Sequence, residues 1–284
     1  MHRAPTEETR AMRSGRDRPR EIALLGDVGS GRTVAAALLV DCLATHWSDG
    51  PGAVSSVITK GEKRMNDAIQ DLMNCRYPAA AEEGGDATAI LIGDPSRTAK
   101  YSVELHEMPG EDFAGRLADG GDGAESVLDL VCGEGQGHLA SAKKYVIVAD
   151  CSRIDAWRAG IGRLAAALPR IREARRHVHG INGDVDAPVA LLATKTDTLP
   201  DERAWQDSVG EILGSYREIM GGPCPGHEAD GAGLFRSHID TVPYDGSGPP
   251  GGQRALGSGD RLISPPFRYN TAEYTGLVSW ILGG

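Results

Sequence analysis

The sequence predicts a three-layer α/β sandwich: a mostly parallel sheet with one antiparallel strand, covered by helices on both faces. Three observations carry that reading. Continuous short apolar runs at 21–25, 145–150 and 187–193 read as strands buried on both faces. Segments with apolar residues at i, i+3, i+4 and i+7 alternate with those runs, as helices over a parallel sheet do. The polar residues of chemical interest fall where strands end, which is where open α/β sheets bind ligands.

In chain order, Arg3, Arg10, Arg13, Arg16, Arg18 and Arg20 outweigh Glu7, Glu8 and Asp17 in a stretch with hardly any apolar residue. Residues 1–20 are therefore expected to be a disordered basic leader, and 21–284 one domain. After the strand at 21–25, residues 34–43 are apolar nearly all round, as a buried helix is. Residues 47–53 break it, and a helix with Met65, Ile69, Leu72 and Met73 on one face follows, ending before Arg76. The runs 88–92 and 101–106 lie close together across a Gly-Asp-Pro-Ser turn and predict an antiparallel pair. Glycines at 119–123 and 133–137 read as loop around the short segment 126–132. The strand 145–150 leads to a helix with Ile161, Leu164, Ala165 and Leu168, whose end at 170–176 reads as a solvated basic terminus. His177 and His179 read as solvated rather than as metal ligands. Beyond the strand 187–193 comes a helix with Trp205, Val209, Ile212, Leu213 and Tyr216 on one side. A strand at 235–242, a flexible insert at 245–259 and a closing helix with Tyr274, Leu277, Val278 and Ile281 complete the reading.

The net charge of −10 argues against a nucleic-acid surface. Cys42, Cys75, Cys132, Cys151 and Cys224 are scattered with no C-x-x-C pair, so they read as reduced thiols. No apolar run approaches the length of a transmembrane helix, and the amino-terminal residues lack the apolar stretch of a secretory signal. A cytoplasmic location is the resulting expectation. Arginine greatly outnumbers lysine, a composition typical of high-GC bacterial coding.

The chemistry concentrates in three places. Gly26-Asp27-Val28-Gly29-Ser30-Gly31-Arg32-Thr33 is the phosphate-cradling pattern G-x-x-x-x-G-K-[ST] between a strand and a helix, with arginine in the lysine position. Its backbone N–H groups and the helix N-terminus favour phosphate, and Thr33 offers a hydroxyl to Mg²⁺. A guanidinium keeps the charge of lysine but is longer, planar and forked. Glu107-Met108-Pro109-Gly110-Glu111 follows a strand: Glu107 is a metal-ligand candidate, Gly110 a phosphate contact, and Glu111 a candidate base to orient water. Thr194-Lys195-Thr196-Asp197 matches [NT]-K-x-D, in which one carboxylate accepts both N1–H and the exocyclic amine of guanine. Adenine lacks that donor pair. Lys195 is expected to lie across the base and brace the phosphate loop, and the loop at Thr241-Val242-Pro243 to finish the base pocket. Asp150 reads as a loop-capping acid.

In order and spacing these motifs resemble the Ras-like (TRAFAC-class) GTPases, over nearly everything from residue 20 onward. The resemblance implies a P-loop NTPase fold, GTP or GDP with Mg²⁺ as ligands, and a regulatory role. A narrower resemblance is to the bacterial double-GTPase (DO-GTPase) group, in which a helix leads to W/Y-P-x-x-T and a strand ends in D-x-x-G-E; residues 65–78 and 107–111 are similar to both. That group implies a protein partner within a bacterial multi-protein system.

The chain departs from the GTPase pattern at the triphosphate end. Lysine is replaced by Arg32 and aspartate by Glu107, and the switch threonine is missing around Ala80 and Ala81, with Thr88 the nearest hydroxyl. Guanine recognition is intact. The expected function is a guanine-nucleotide-binding regulator with weak or impaired hydrolysis. The alternatives are a pseudo-GTPase that serves as an interaction scaffold, and an ATPase or kinase of the wider superfamily, which Asp197 argues against.

Overall fold

The computed structural model describes residues 20–45, 55–78, 88–93, 99–107, 138–179, 187–220, 233–243 and 261–282. In chain order these form β1 (Arg20–Leu25), α1 (Arg32–Thr45), β2 (Ser55–Lys60), α2 (Glu62–Met73), β3 (Thr88–Gly93) and β4 (Ala99–Glu107). Then come α3 (His138–Ser141), β5 (Lys144–Asp150), α4 (Ile154–His179), β6 (Val189–Thr194), a 3-10 turn (Thr196–Thr198) and α5 (Glu202–Met220). The last elements are β7 (Leu234–Arg236), β8 (Thr241–Pro243), β9 (Arg261–Ile263) and α6 (Thr271–Leu282).

Among the described residues the main sheet runs in the order β2-β3-β4-β1-β5-β6-β7. From β4 through β1, β5 and β6 to β7, each strand is parallel to the next. β3 alone runs the other way, antiparallel to both β2 and β4. This is the expected mostly parallel sheet with one reversed strand, and the expected antiparallel pair is β3 with β4. Alternation along β1 builds both cores: Ile22 and Leu24 pack under α1, α2 and α6, while Ala23 and Leu25 pack under α4 and α5. Helices therefore cover both faces of the sheet, and the architecture is that of an α/β P-loop NTPase.

The register aligns the strand ends. Leu24 of β1 lies beside Glu107 of β4, and Asp150 of β5 beside Thr194 of β6, so the carboxyl ends of the parallel strands carry the phosphate loop, Glu107 and Thr194–Asp197. The α1 helix that follows the loop is buried along Ala35–Val40, and its run of alanines lets it lie close to the sheet.

Several expectations are corrected. β2 was not anticipated, because Ser55-Ser56-Val57-Ile58-Thr59-Lys60 is an edge strand with no continuous apolar run. Met73, expected on the buried face of α2, is 46% exposed, and Met65, Ala68 and Leu72 form the buried stripe. The helix stripe on α4 runs through Trp157, Ile161, Leu164, Ala167, Ile171 and Ala174, leaving Ala165 and Leu168 half-buried. α4 also continues through His179, so His177 and His179 lie within the helix. Arg175 is not solvated: it is 3% exposed and donates to the carbonyls of Ala140 (3.3 Å) and Ala142 (2.5 Å). The single strand expected at 235–242 is divided. β7 completes the main sheet, an isolated bridge joins Ile239 to Tyr269, and β8 pairs with β9 in a separate antiparallel ribbon. The leader, the glycine-rich loops and the 245–259 insert lie outside the described residues.

Candidate functional site

The phosphate loop has the backbone its glycines predict. Gly31 enters α1 with φ 90°, and Gly29 has φ 73°, both left-handed values that L side chains rarely adopt. A Cβ on Gly26 would stand 2.7 Å from Ser30 Oγ and 3.1 Å from the Val148 carbonyl, so the turn closes only on glycine. Within the loop Ser30 N donates to the Asp27 carbonyl at 3.1 Å, and Ala35 N donates to Gly31 to begin the helical ladder. The first turn of α1, whose leading N–H groups have no partner within the helix ladder, follows directly.

Two arginines, Arg153 just before α4 and Arg163 within it, hold the loop from its flank. Arg153 donates to the Val28 carbonyl at 3.1 Å, and Arg163 meets the Asp27 carboxylate at 3.3 Å. Asp27 also accepts from Val28 N at 2.9 Å. Arg32 folds back along the loop, its Cδ lying 3.2 Å from where a Gly26 Cβ would be.

Thr33 and Glu107, the expected metal pair, do come together. The Thr33 hydroxyl donates to Glu107 Oε2 at 3.1 Å. The other oxygen, Oε1, accepts from the guanidinium of Arg64 at 2.7 Å, and the Glu107 side chain is only 3% exposed. Arg64 also reaches the Thr88 hydroxyl at 3.4 Å. Thr88 opens β3 and is fully buried, which places it in a strand, as expected, and not in a switch loop. Both Glu107 oxygens are thus engaged by groups of this chain, and a fixed positive charge lies against the carboxylate. Among the described residues no three of His, Cys, Asp and Glu gather where a metal ion would be held. This donor set does not fit Mg²⁺ as arranged, because the ion needs near-octahedral oxygen ligands at about 2.0–2.1 Å and would meet the Arg64 charge.

The Thr194–Asp197 motif follows β6, two strands away from β1 in the sheet. Thr194 Oγ1 donates to the Ser30 carbonyl at 2.6 Å, tying the end of β6 to the phosphate loop. The bracing expected of Lys195 is therefore made by Thr194. Lys195, in a left-handed conformation with φ 56°, sends Nζ to Asp150 at 2.6 Å. Asp150 also accepts from the backbone N (2.9 Å) and hydroxyl (2.6 Å) of Ser152, so it caps its loop as expected. Asp197 Oδ2 accepts from the Thr241 hydroxyl at 2.5 Å and lies 3.5 Å from Arg261 Nε. Arg261 in turn donates to Thr241 Oγ1 at 2.7 Å. β8 and β9 therefore present one hydroxyl and one guanidinium to the Asp197 carboxylate. Tyr77 stands within electrostatic reach of the same pair: burial, and then the Asp197 charge, push its pKa up to about 12, with Arg261 opposing.

The structure thus gathers Gly26 through Thr33, Glu107, Thr194, Lys195 and Asp197 at the carboxyl ends of the central parallel strands. Gly110, Glu111 and the 79–87 segment lie outside the described residues. The sequence reading missed Arg64, Arg153, Arg163 and Arg261. Each belongs to no motif, and in so arginine-rich a chain each looks like one more surface cation. Arg64 carried one signal, its position next to the fully buried Met65.

No protein-family model matches this chain, and no curated protein sequence matches it. Among solved structures it is similar to the signal recognition particle receptor SRb-GTP/SRX complex from Chaetomium thermophilum. That likeness has 14% identity, covers 72% of this chain and 82% of the other, and has a TM-score of 0.32. At that level the fold rests on the strand order and registers given above. Among the described residues no helix is long and apolar enough to cross a membrane.

Proposed function

We propose that this chain is a guanine-nucleotide-binding regulatory protein whose hydrolysis is weak or impaired. The observation that carries the reading is the coupling of its two recognition halves. Thr194, the first residue of the base-reading motif, holds the phosphate loop through Ser30, and three residues later Asp197 is oriented by Thr241. A carboxylate held in this way is arranged to accept the paired donors of guanine, while loop 26–33 and the α1 N-terminus meet the phosphates. Gly110 and Lys195 belong to the same reading as nucleotide contacts, and Glu111 as the residue that orients water. The altered triphosphate end supports slow turnover. The similarity of residues 65–78 and 107–111 to the double-GTPase group supports a role in a bacterial multi-protein system, with a protein partner, and a cytoplasmic location belongs to the same reading.

A second reading, the pseudo-GTPase scaffold, is favoured by one specific observation: Glu107 is already neutralised by Arg64. Turnover separates the two readings, and binding tests what they share. Equilibrium titration of the full chain with GDP, GTP and ATP is expected to show guanine-nucleotide binding that weakens at least about tenfold, or about 1.4 kcal/mol, in Asp197→Ala. ATP is expected to bind far more weakly. Absence of binding to all three at millimolar nucleotide would remove the switch reading and leave a scaffold. Restored hydrolysis in Arg32→Lys would favour a catalyst.

A further inference from the structure

We propose that Arg64 takes the place and the charge-neutralising role of a divalent cation, so that the phosphate site of this chain works without metal. The inference deepens the nucleotide-binding reading and rests on it for the identity of the ligand. The geometry is that of a built site. Arg64 comes from α2, Glu107 from the end of β4, Thr33 from the start of α1 and Thr88 from the start of β3, so four elements converge on one guanidinium–carboxylate pair. α2 is anchored there by Met65, Ala68 and Leu72, which fixes the root of the Arg64 side chain beside the sheet. Glutamate in place of aspartate makes the arrangement possible. Its extra methylene lets one carboxylate reach the Thr33 hydroxyl with Oε2 and the Arg64 guanidinium with Oε1. A charge-assisted pair of 2.7 Å with a carboxylate only 3% exposed is strong and poorly screened.

The charges around the phosphate loop follow one pattern. Its two acids, Asp27 and Glu107, are each met by an arginine of this chain, Arg163 and Arg64. Arg32 stands in the loop itself, and Arg153 lies over its tip at the Val28 carbonyl. An incoming polyphosphate therefore meets a site whose negative groups are already paired, and guanidinium groups suit phosphate oxygens through planar, forked hydrogen bonding. A dication brought to Glu107 would have to displace or repel Arg64. The three departures of the sequence then belong to one change: Arg32, Glu107 and the absent threonine at 80–81 all remove features that serve a metal-bound triphosphate.

The test compares wild type with Arg64→Met in two arms. In the first, fluorescent GDP is titrated with excess EDTA or with millimolar Mg²⁺. Wild-type affinity is expected to differ by less than about twofold between the two, while Mg²⁺ strengthens binding to the variant by at least about tenfold. Wild-type binding that collapses in EDTA and returns with Mg²⁺ overturns the proposal. The second arm uses metal alone, without nucleotide, and follows thermal unfolding. Arg64→Met is expected to melt below wild type, because Glu107 loses its partner, and to recover part of the loss with Mg²⁺; wild type is expected not to respond. An equal rise in wild type, or no recovery in the variant, overturns the proposal. If GDP binds neither protein, the nucleotide reading fails and the metal arm still decides the role of Arg64. If Arg64→Met does not fold, the wild-type comparison in EDTA and Mg²⁺ decides it, and Arg64→Lys, which keeps the charge, is expected to remain indifferent to metal.

Discussion

Gly31 shows how a single backbone angle holds the site. Its φ of 90° turns the loop into α1, and a Cβ there would meet the Thr194 side chain only at 3.7 Å, an ordinary contact. The cost of Gly31→Ala is therefore backbone strain and not a clash. It is expected to be about 1–2 kcal/mol, read as a lower denaturant midpoint with an unchanged slope. At this scale the sequence was legible wherever geometry demands one residue type. The glycines, the Thr33 hydroxyl and the Thr194–Asp197 spacing all carry their reason in their identity. Arg64 and Arg261 do not. An arginine on a helix or at a strand start has many uses, and what distinguishes these two is the acid each one faces, 43 and 64 positions away along the chain (107 − 64 and 261 − 197).

Helix α4 owes its placement to a residue read at first as solvated. Arg175 is buried and gives hydrogen bonds to two carbonyls at the end of α3, with its guanidinium also over the Tyr145 ring. Arg175→Met keeps the bulk but leaves the Ala140 and Ala142 carbonyls without this donor. A loss of about 2–4 kcal/mol is expected in chemical denaturation, well beyond an ordinary surface substitution. The elements themselves were legible in proportion to their burial. β1, β5 and β6 lie between two helical layers and announce themselves as apolar runs, whereas β2 lies at the sheet edge and its serines and threonine look like loop. The division of the last predicted strand into β7 and β8 was hidden for another reason. Its partner, β9, follows only after an intervening segment, so no local pattern shows that the chain leaves the main sheet after Arg236.

Over the whole molecule, burial near the site fixes the direction of the alkaline response. Cys151 is pushed from 9.0 to about 12, first by burial and then by Asp150, and Tyr77 rises from 10.0 to about 12. Both groups prefer their neutral form in the fold more strongly than in the unfolded chain. Their contribution is therefore complete below the ordinary pKa values and is lost as pH climbs from about 9 towards 12. The urea midpoint is expected to hold steady through neutrality and to fall above about pH 9. Cys151→Ala and Tyr77→Phe are expected to flatten that fall, and a midpoint that rises with alkalinity would contradict the assignment.

The position of β1 also sets the order in which the protein can be assembled. The strand that leads into the phosphate loop lies between β4 and β5, and its loop is tied to Thr194, 164 residues further on. A chain emerging from the ribosome thus exposes an apolar strand and an alanine-rich helix long before their partners exist. The loop acquires the tie from Thr194 only when β6 has been made. Contacts of such sequence separation slow folding, so newly synthesised fragments that end before residue 194 are the forms most exposed to aggregation and to chaperones.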